Sequence, residues 1–274
     1  SDAANLELRY EDNSNRNYIS NRFTMDGEIN HGRSEEHRQT LRTSRLSAGN
    51  YFNLIRNREN STWEFRSATQ YAYQPASLLL EEGKSKFNQH SFYTDNSAAY
   101  LRKYNGFTQQ YKAGIQGERA TMKYIPPTQP NDFNASNLSL YFNPYFQLQR
   151  GKWLATLSLP LKAQRYFSQQ RSFLFFNPST YLRYKQDYHW TFSLYGNLKR
   201  SAGDFSDLYP GLYQTDYRTW RSGNGLFPTS TTQTYNLYGE YKNTVQEFFV
   251  TASLTYSRSN RNTLFEQSAV SYTH

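Results

Sequence analysis

The stretch Asn143–Lys162, NPYFQLQRGKWLATLSLPLK, holds two runs in which apolar and polar residues alternate, with only QRGK between them. One run comes through Leu138, Leu140 and Phe142 to Leu148; the other continues through Trp153, Ala155, Leu157, Leu159 and Leu161. Period-two alternation sends successive side chains to opposite faces of a strand, and a short glycine-containing turn between two such runs makes an antiparallel hairpin. The hairpin alone leaves open what covers its apolar face, a soluble core or lipid.

The same grammar recurs along the whole chain. NLELRY pairs with NYISNRFTM across EDNSNR, and TLRTSRLSAGNYFNLI with STWEFRSATQYAY across RNREN. SAAYLRKY pairs with FTQQYKAGIQG across Asn105-Gly106, a strong short-hairpin signal. After the opening hairpin, LFFNPSTYLRYK pairs with YHWTFSLYGNLK across QD, and TYNLYGEYK with EFFVTASLTYSR across NTVQ. This predicts about twelve strands, most of roughly 9 to 12 residues.

Between these hairpins the polar segments Asp26–Gln39, Gln74–Ser91, Arg119–Asn134, Gln164–Arg171 and Lys199–Thr231 read as longer connections. Short and long connections therefore alternate, and an up-and-down meander then places all tight turns at one end. Short turns at one end and long loops at the other distinguish an outer-membrane barrel, with strands long enough to span, from a sandwich with Greek-key connections.

Face chemistry agrees with that choice. Trp153, Ala155, Leu157, Leu159 and Leu161 oppose Lys152, Thr156, Ser158 and Lys162; Leu174, Phe176, Thr180, Leu182 and Tyr184 oppose Asn177, Ser179, Tyr181, Arg183 and Lys185. Phe248, Val250, Ala252, Leu254 and Tyr256 oppose Thr251, Ser253 and Thr255. Trp153, Tyr184, Trp190, Tyr241 and Phe248 fall near the tight turns, where an aromatic girdle belongs.

Composition sets further bounds. The 274 residues are only 36% hydrophobic but 18% aromatic, with 25 Tyr and 19 Phe, which separates the chain from disordered sequences. Cysteine is absent, so disulfides and thiolate chemistry are excluded. The formal charge of +9 comes from scattered single Lys and Arg rather than a block, a pattern that argues against nucleic acid as a partner. No apolar run approaches a spanning helix, and the opening SDAANLELRY has no signal-sequence pattern.

The segments WLATLSLPLKAQRYF (Trp153–Phe167), FFNPSTYLRYK (Phe175–Lys185), LYPGLYQTDYRTWRSGNGLF (Leu208–Phe227) and FFVTASLTYSRSNRNTLFEQ (Phe248–Gln267) resemble the β-barrel of TonB-dependent outer-membrane receptors of the Bacteroidetes type. The resemblance covers the C-terminal half by sequence and the first half by pattern. It implies an all-β, antiparallel up-and-down transmembrane barrel in the bacterial outer membrane. Residues 1–274 would be one barrel domain or segment of a larger 22-stranded barrel, without a plug domain. A complete 12-stranded barrel is the alternative. The implied function is import of a bulky nutrient such as a glycan, with no enzyme activity and no cofactor. Implied partners are outer-membrane lipid, TonB acting through the absent plug, a surface lipoprotein, and a small-molecule, glycan or peptide ligand.

Within that frame the long connection Lys199–Thr231 is the candidate binding element. Tyr209, Tyr213, Tyr217 and Trp220 offer flat faces, while Asp204, Asp207, Arg218 and Arg221 offer directional polar contacts. Tyr181 and Arg183 are expected to face the lumen. Two other constellations are the ones a barrel hydrolase would use: Asp187-x-His189, at a tight turn, and His31, Glu35, Glu36 and His37 in HGRSEEHR. Both read as charged turns or loops, and no metal site is expected. A soluble glycan-binding sandwich or adhesin is the third reading.

Overall fold

The computed structural model describes residues 2–14, 16–34, 39–80, 83–125, 131–203, 212–214, 220–222 and 229–262. Among them every regular element is a strand. β1 (Asp2–Asn13), β2 (Asn17–Ser34), β3 (Gln39–Arg58), β4 (Ser61–Leu80), β5 (Gly83–Tyr104), β6 (Phe107–Ile125) and β7 (Asn131–Arg150) form an antiparallel meander in chain order.

The next two crossings are each broken once. β8 (Trp153–Ser158) pairs with Tyr145–Arg150 of β7, and β9 (Leu161–Tyr166) pairs with Asn137–Phe142 of the same strand. β10 (Arg171–Phe176) pairs with β9 and β11 (Ser179–Lys185) with β8. Pro160 and Pro178 stand in the two gaps, and a residue without an N–H interrupts the ladder. Single bonds from Leu159 N to Pro144 O (2.9 Å) and from Asn177 N to Pro160 O (3.0 Å) carry the pairing across.

β12 (Trp190–Ala202), β15 (Thr229–Asn243) and β16 (Phe248–Arg261) complete the sheet, and β13 (Leu212–Gln214) with β14 (Trp220–Ser222) forms a separate ribbon inside the long connection. Counting each broken crossing once gives twelve, and all six expected hairpins are present. Among the described residues β1 and β16 are the two edges, each paired on one side.

The strands are longer than expected. β3 and β4 have 20 residues each and β5 has 22. Most of the predicted long connections are strand: Gln74–Leu80 pairs with Gly83–Gln89, and Asp26–Ser34 with Gln39–Ser47. A strand rising about 3.3 Å per residue and tilted by about 40° gains about 50 Å over 20 residues, well beyond a hydrocarbon layer of about 30 Å. Strands of this length exceed what such a layer requires, so their far ends need not keep the alternation by which a strand is recognised. The connection between β12 and β15 alone is long among those predicted.

The turns are locally determined. Asn105 (φ 43°) and Gly106 (φ 76°) both occupy the left-handed region that a two-residue hairpin demands. A Cβ on Gly106 would lie 2.3 Å from the carbonyl oxygen of Gln149, whereas one on Gly151 (φ 56°) meets nothing within 4 Å. Gly106→Ala is therefore expected to cost about 2 to 3 kcal/mol, and Gly151→Ala only about 1 kcal/mol, in denaturant unfolding.

The two faces differ as the alternation predicts. Leu138, Leu140, Phe142, Trp153, Leu157, Leu174, Leu182, Phe192, Leu237 and Leu254 all point outward and are exposed. Ser97, Ala99, Ala120, Met122, Ala135, Asn137, Ser139, Tyr166 and Phe175 all point inward and are buried. A single-layer sheet buries side chains only where it curls over them, so the inward face is concave. Near the turns, outward rings meet at tilted angles in a girdle. Trp153 meets Tyr184 at 4.5 Å, Trp190 meets Tyr241 at 4.8 Å, Tyr241 meets Phe248 at 6.0 Å and Trp63 meets Tyr100 at 4.7 Å.

Candidate functional site

The concave wall carries a polar network that depends on strand register. Asp95 on β5 lies opposite Gln116 on β6, which lies opposite Ser139 on β7 and, beyond it, Gln164 on β9. One step along, Tyr93, Glu118, Asn137 and Tyr166 form a parallel row. Tyr141 Oη donates to Asp95 Oδ1 (2.7 Å), Lys162 Nζ to Gln116 Oε1 (2.9 Å) and Asn137 Nδ2 to Glu118 Oε2 (3.1 Å). Tyr141 reaches Asp95 by crossing β6 at Gly114, where the missing side chain makes room for its ring. Lys112 Nζ stands 5.7 Å from the centre of that ring.

Above this network, toward the long-connection end, the wall becomes apolar. Met122, Ala120, Ala135 and Tyr166 cluster with Phe133 and Phe173. Beside them β12 parts from β10, and the amide of Asn177 replaces the missing ladder rung. It accepts from Arg200 N (2.7 Å) and donates to Arg200 O (3.2 Å). A recess of about 320 Å³ lies at this split, lined by Glu118, Asn137, Lys162, Gln164, Tyr166 and Lys199 among others. Polar groups below an aromatic shelf suit a ligand that presents hydrogen-bonding edges and flat faces together.

The expected site residues fall in three places. Tyr181 and Arg183 are half-buried on the inward face of β11, opposite Thr156 and Leu154 of β8 and Tyr195 and Ser193 of β12. Tyr213 and Arg221 are backbone partners in the β13–β14 ribbon, with Trp220 opposite Gln214. Tyr209, Tyr217, Arg218, Asp204 and Asp207 lie outside the described residues, as do Glu35, Glu36 and His37. His31 is exposed on β2. Among the described residues, no group of three or more His, Asp or Glu could hold a metal ion.

Sequence reasoning missed the network around Asp95. Counting back from the turns would have found it, because Asp95 and Gln116 stand equally far from Asn105-Gly106 along their strands.

Asp187 and His189 belong to the tight turn between β11 and β12. Asp187 Oδ1 accepts the backbone N–H groups of His189 and Trp190, both at 2.8 Å, while His189 Nδ1 is 4.0 Å away and its ring stacks on Tyr241 at 5.7 Å. The Trp190 and His189 backbone bonds hold the Asp187 carboxyl below its ordinary value. Its contribution to the turn is thus complete above the ordinary carboxylate range and is lost as pH falls through the lowered value. Amide exchange at His189 and Trp190 should accelerate in acid beyond the intrinsic trend, and Asp187→Asn should abolish that pH dependence.

Comparison with solved structures places this wall. The ferric yersiniabactin uptake receptor FyuA of Yersinia pestis superposes with a TM-score of 0.62 at 9% identity, over 94% of this chain and 45% of that one. The fold is that of the barrel wall of TonB-dependent outer-membrane receptors. The alcaligin outer-membrane receptor FauA of Bordetella pertussis matches at 0.56 and 12% identity, over 94% of this chain and 43% of that one. The RagAB peptide importer matches at 0.54 and 9% identity, over 96% and 47% respectively. The chain thus spans a little under half the length of these solved structures. No family model and no curated protein matches the sequence.

Proposed function

We propose that this chain is part of the barrel wall of a TonB-dependent importer in the bacterial outer membrane, carrying a bulky nutrient. The observation that carries this reading is the division of one sheet layer into an outward face of exposed Leu, Phe and Trp and an inward face of hydrogen-bonded Asp, Glu, Lys, Asn and Gln. Lipid outside and polar cargo inside suit that division. The two edges open among the described residues also need further strands on this reading, since unpaired backbone groups cannot stand in hydrocarbon. Those strands, and a gating domain that meets TonB, belong on this reading to polypeptide outside the 274 residues.

The cargo class that the long connection fits is a glycan. Tyr209, Tyr213, Tyr217 and Trp220 supply flat faces for sugar rings, and Arg218 and Arg221 supply directional donors. A surface lipoprotein covering this end would complete the enclosure. The wall itself binds and guides, with no bond chemistry.

In cells carrying the full-length gene, uptake of a labelled oligosaccharide pool should saturate. It should fall to background when the proton gradient is collapsed, or when residues 204–228 are replaced by a short Gly-Ser linker. Uptake of peptides in place of oligosaccharides would overturn the glycan cargo while preserving the importer. Uptake indifferent to the proton gradient would overturn the importer itself.

A further inference from the structure

The outward stripes of four successive strands that rise from tight turns end alike. They run from Phe107 to Arg119 on β6, from Trp153 to Arg165 on β8 and β9, from Trp190 to Arg200 on β12, and from Phe248 to Arg258 on β16. Each begins with an aromatic residue, continues through residues that are apolar except for Gln109, and closes with an exposed arginine.

The heights agree. Each arginine stands about 11 to 14 residues along its strand from Gly106, Gly151, Asp187 or Glu247, a rise of roughly 28 to 35 Å for strands tilted by about 40°. That is the far boundary of a hydrocarbon layer about 30 Å thick. Register then groups them in two pairs. Arg119 and Arg165 flank β7, opposite Ser136 and Leu138; Arg200 and Arg258 flank β15, opposite Thr231 and Gln233. Two strand spacings and a two-residue offset separate the partners of each pair by about 12 Å.

Their surroundings supply no counter-charge. None of the ion pairs among the described residues involves these four arginines; of the acidic residues on the same or neighbouring strands, Asp95, Glu118 and Glu240 point inward, and the outward Asp132 of β7 is paired with Lys123 at 3.5 Å. Arg165 lies over the ring of Phe167, with 5.9 Å to its centre, which keeps the guanidinium on the outer surface.

We propose that these two arginine pairs bind the phosphate groups of anionic lipid in the leaflet on the long-connection side. A guanidinium presents parallel N–H donors that match a phosphate's oxygens, and the apolar stripe beneath each arginine accommodates the acyl chains of the same lipid. The assignment rests on the outer-membrane placement proposed above.

The test uses the full-length protein in nanodiscs of zwitterionic lipid doped with either a phosphate-monoester lipid or an equally charged sulfated lipid, with retained lipid counted by native mass spectrometry. The wild type should retain the phosphate lipid preferentially. Arg119→Gln with Arg165→Gln, and Arg200→Gln with Arg258→Gln, should each reduce retention, by roughly fivefold for each arginine replaced. Arg102→Gln with Arg150→Gln, at the turn end, should leave it unchanged. Wild-type retention by both folded pair variants, or equal retention of the sulfated lipid, would overturn the proposal. Should a pair variant fail to insert, Arg200→Lys and Arg258→Lys keep the charge without the planar fork and must still lower retention. Failure of the wild type to insert at all is a separate result, which overturns the membrane placement and the proposal with it.

Discussion

Leu157→Arg is expected to destabilise the membrane-inserted protein by about 2 to 4 kcal/mol, the cost of a charge on the lipid face near the bilayer midplane. Leu157 points outward from β8 between Phe146 of β7 and Thr180 of β11, and it is 40% exposed although it lies mid-strand. Six residues of tilted strand above Gly151 place it about 15 Å from the turn, half the thickness of the hydrocarbon layer. The neighbouring Thr156 faces the concave side, so Thr156→Arg meets water or other polar groups and should cost far less. Denaturant unfolding of the full-length protein in vesicles compares the two directly. Equal losses, or a negligible loss for Leu157→Arg, would count against the assignment of faces.

The second large effect belongs to the inner wall. A Cβ on Gly114 would lie 2.5 Å from Cζ and Oη of Tyr141 and 2.7 Å from the backbone oxygen of Asn96. The tyrosine ring can swing away, but the strand carbonyl cannot yield independently of its ladder. Gly114→Ala thus combines overpacking, typically about 1 to 3 kcal/mol, with loss of the Tyr141–Asp95 hydrogen bond. We expect about 3 kcal/mol in total. In a double-mutant cycle, Tyr141→Ala should relieve part of that cost, because the two residues share one space. Strict additivity would show that the strain lies with Asn96 alone and that the ring does not depend on the glycine.

These two residues show where the sequence was readable and where it was not. Leu157 was legible because its face follows from parity counted from a tight turn a few residues away, and each turn is set locally by residues such as Asn105, Gly106 and Gly151. The same parity placed Tyr181 and Arg183 opposite Leu182. It failed at the far strand ends: Asp26–Ser34 lacks an apolar face and Gln74–Leu80 ends in the unbroken run Leu78–Leu80 rather than an alternation, yet their backbones pair as fully as the rest of the sheet. It also left the broken crossings undetected, because the breaks at Pro160 and Pro178 preserve the alternation on either side.

The sequence by itself determined the all-β meander, the six hairpins, the end at which the turns lie and the face that each side chain takes in the alternating runs beside the tight turns. All of these follow from period-two geometry and short-range turn chemistry. Only the tertiary structure decided which inward residues meet. The bond between Tyr141 and Asp95, the one between Lys162 and Gln116, and the pairing of Arg119 with Arg165 across β7 depend on register accumulated over several strands. That register is a property of the whole hydrogen-bonded sheet, and no local stretch of sequence contains it.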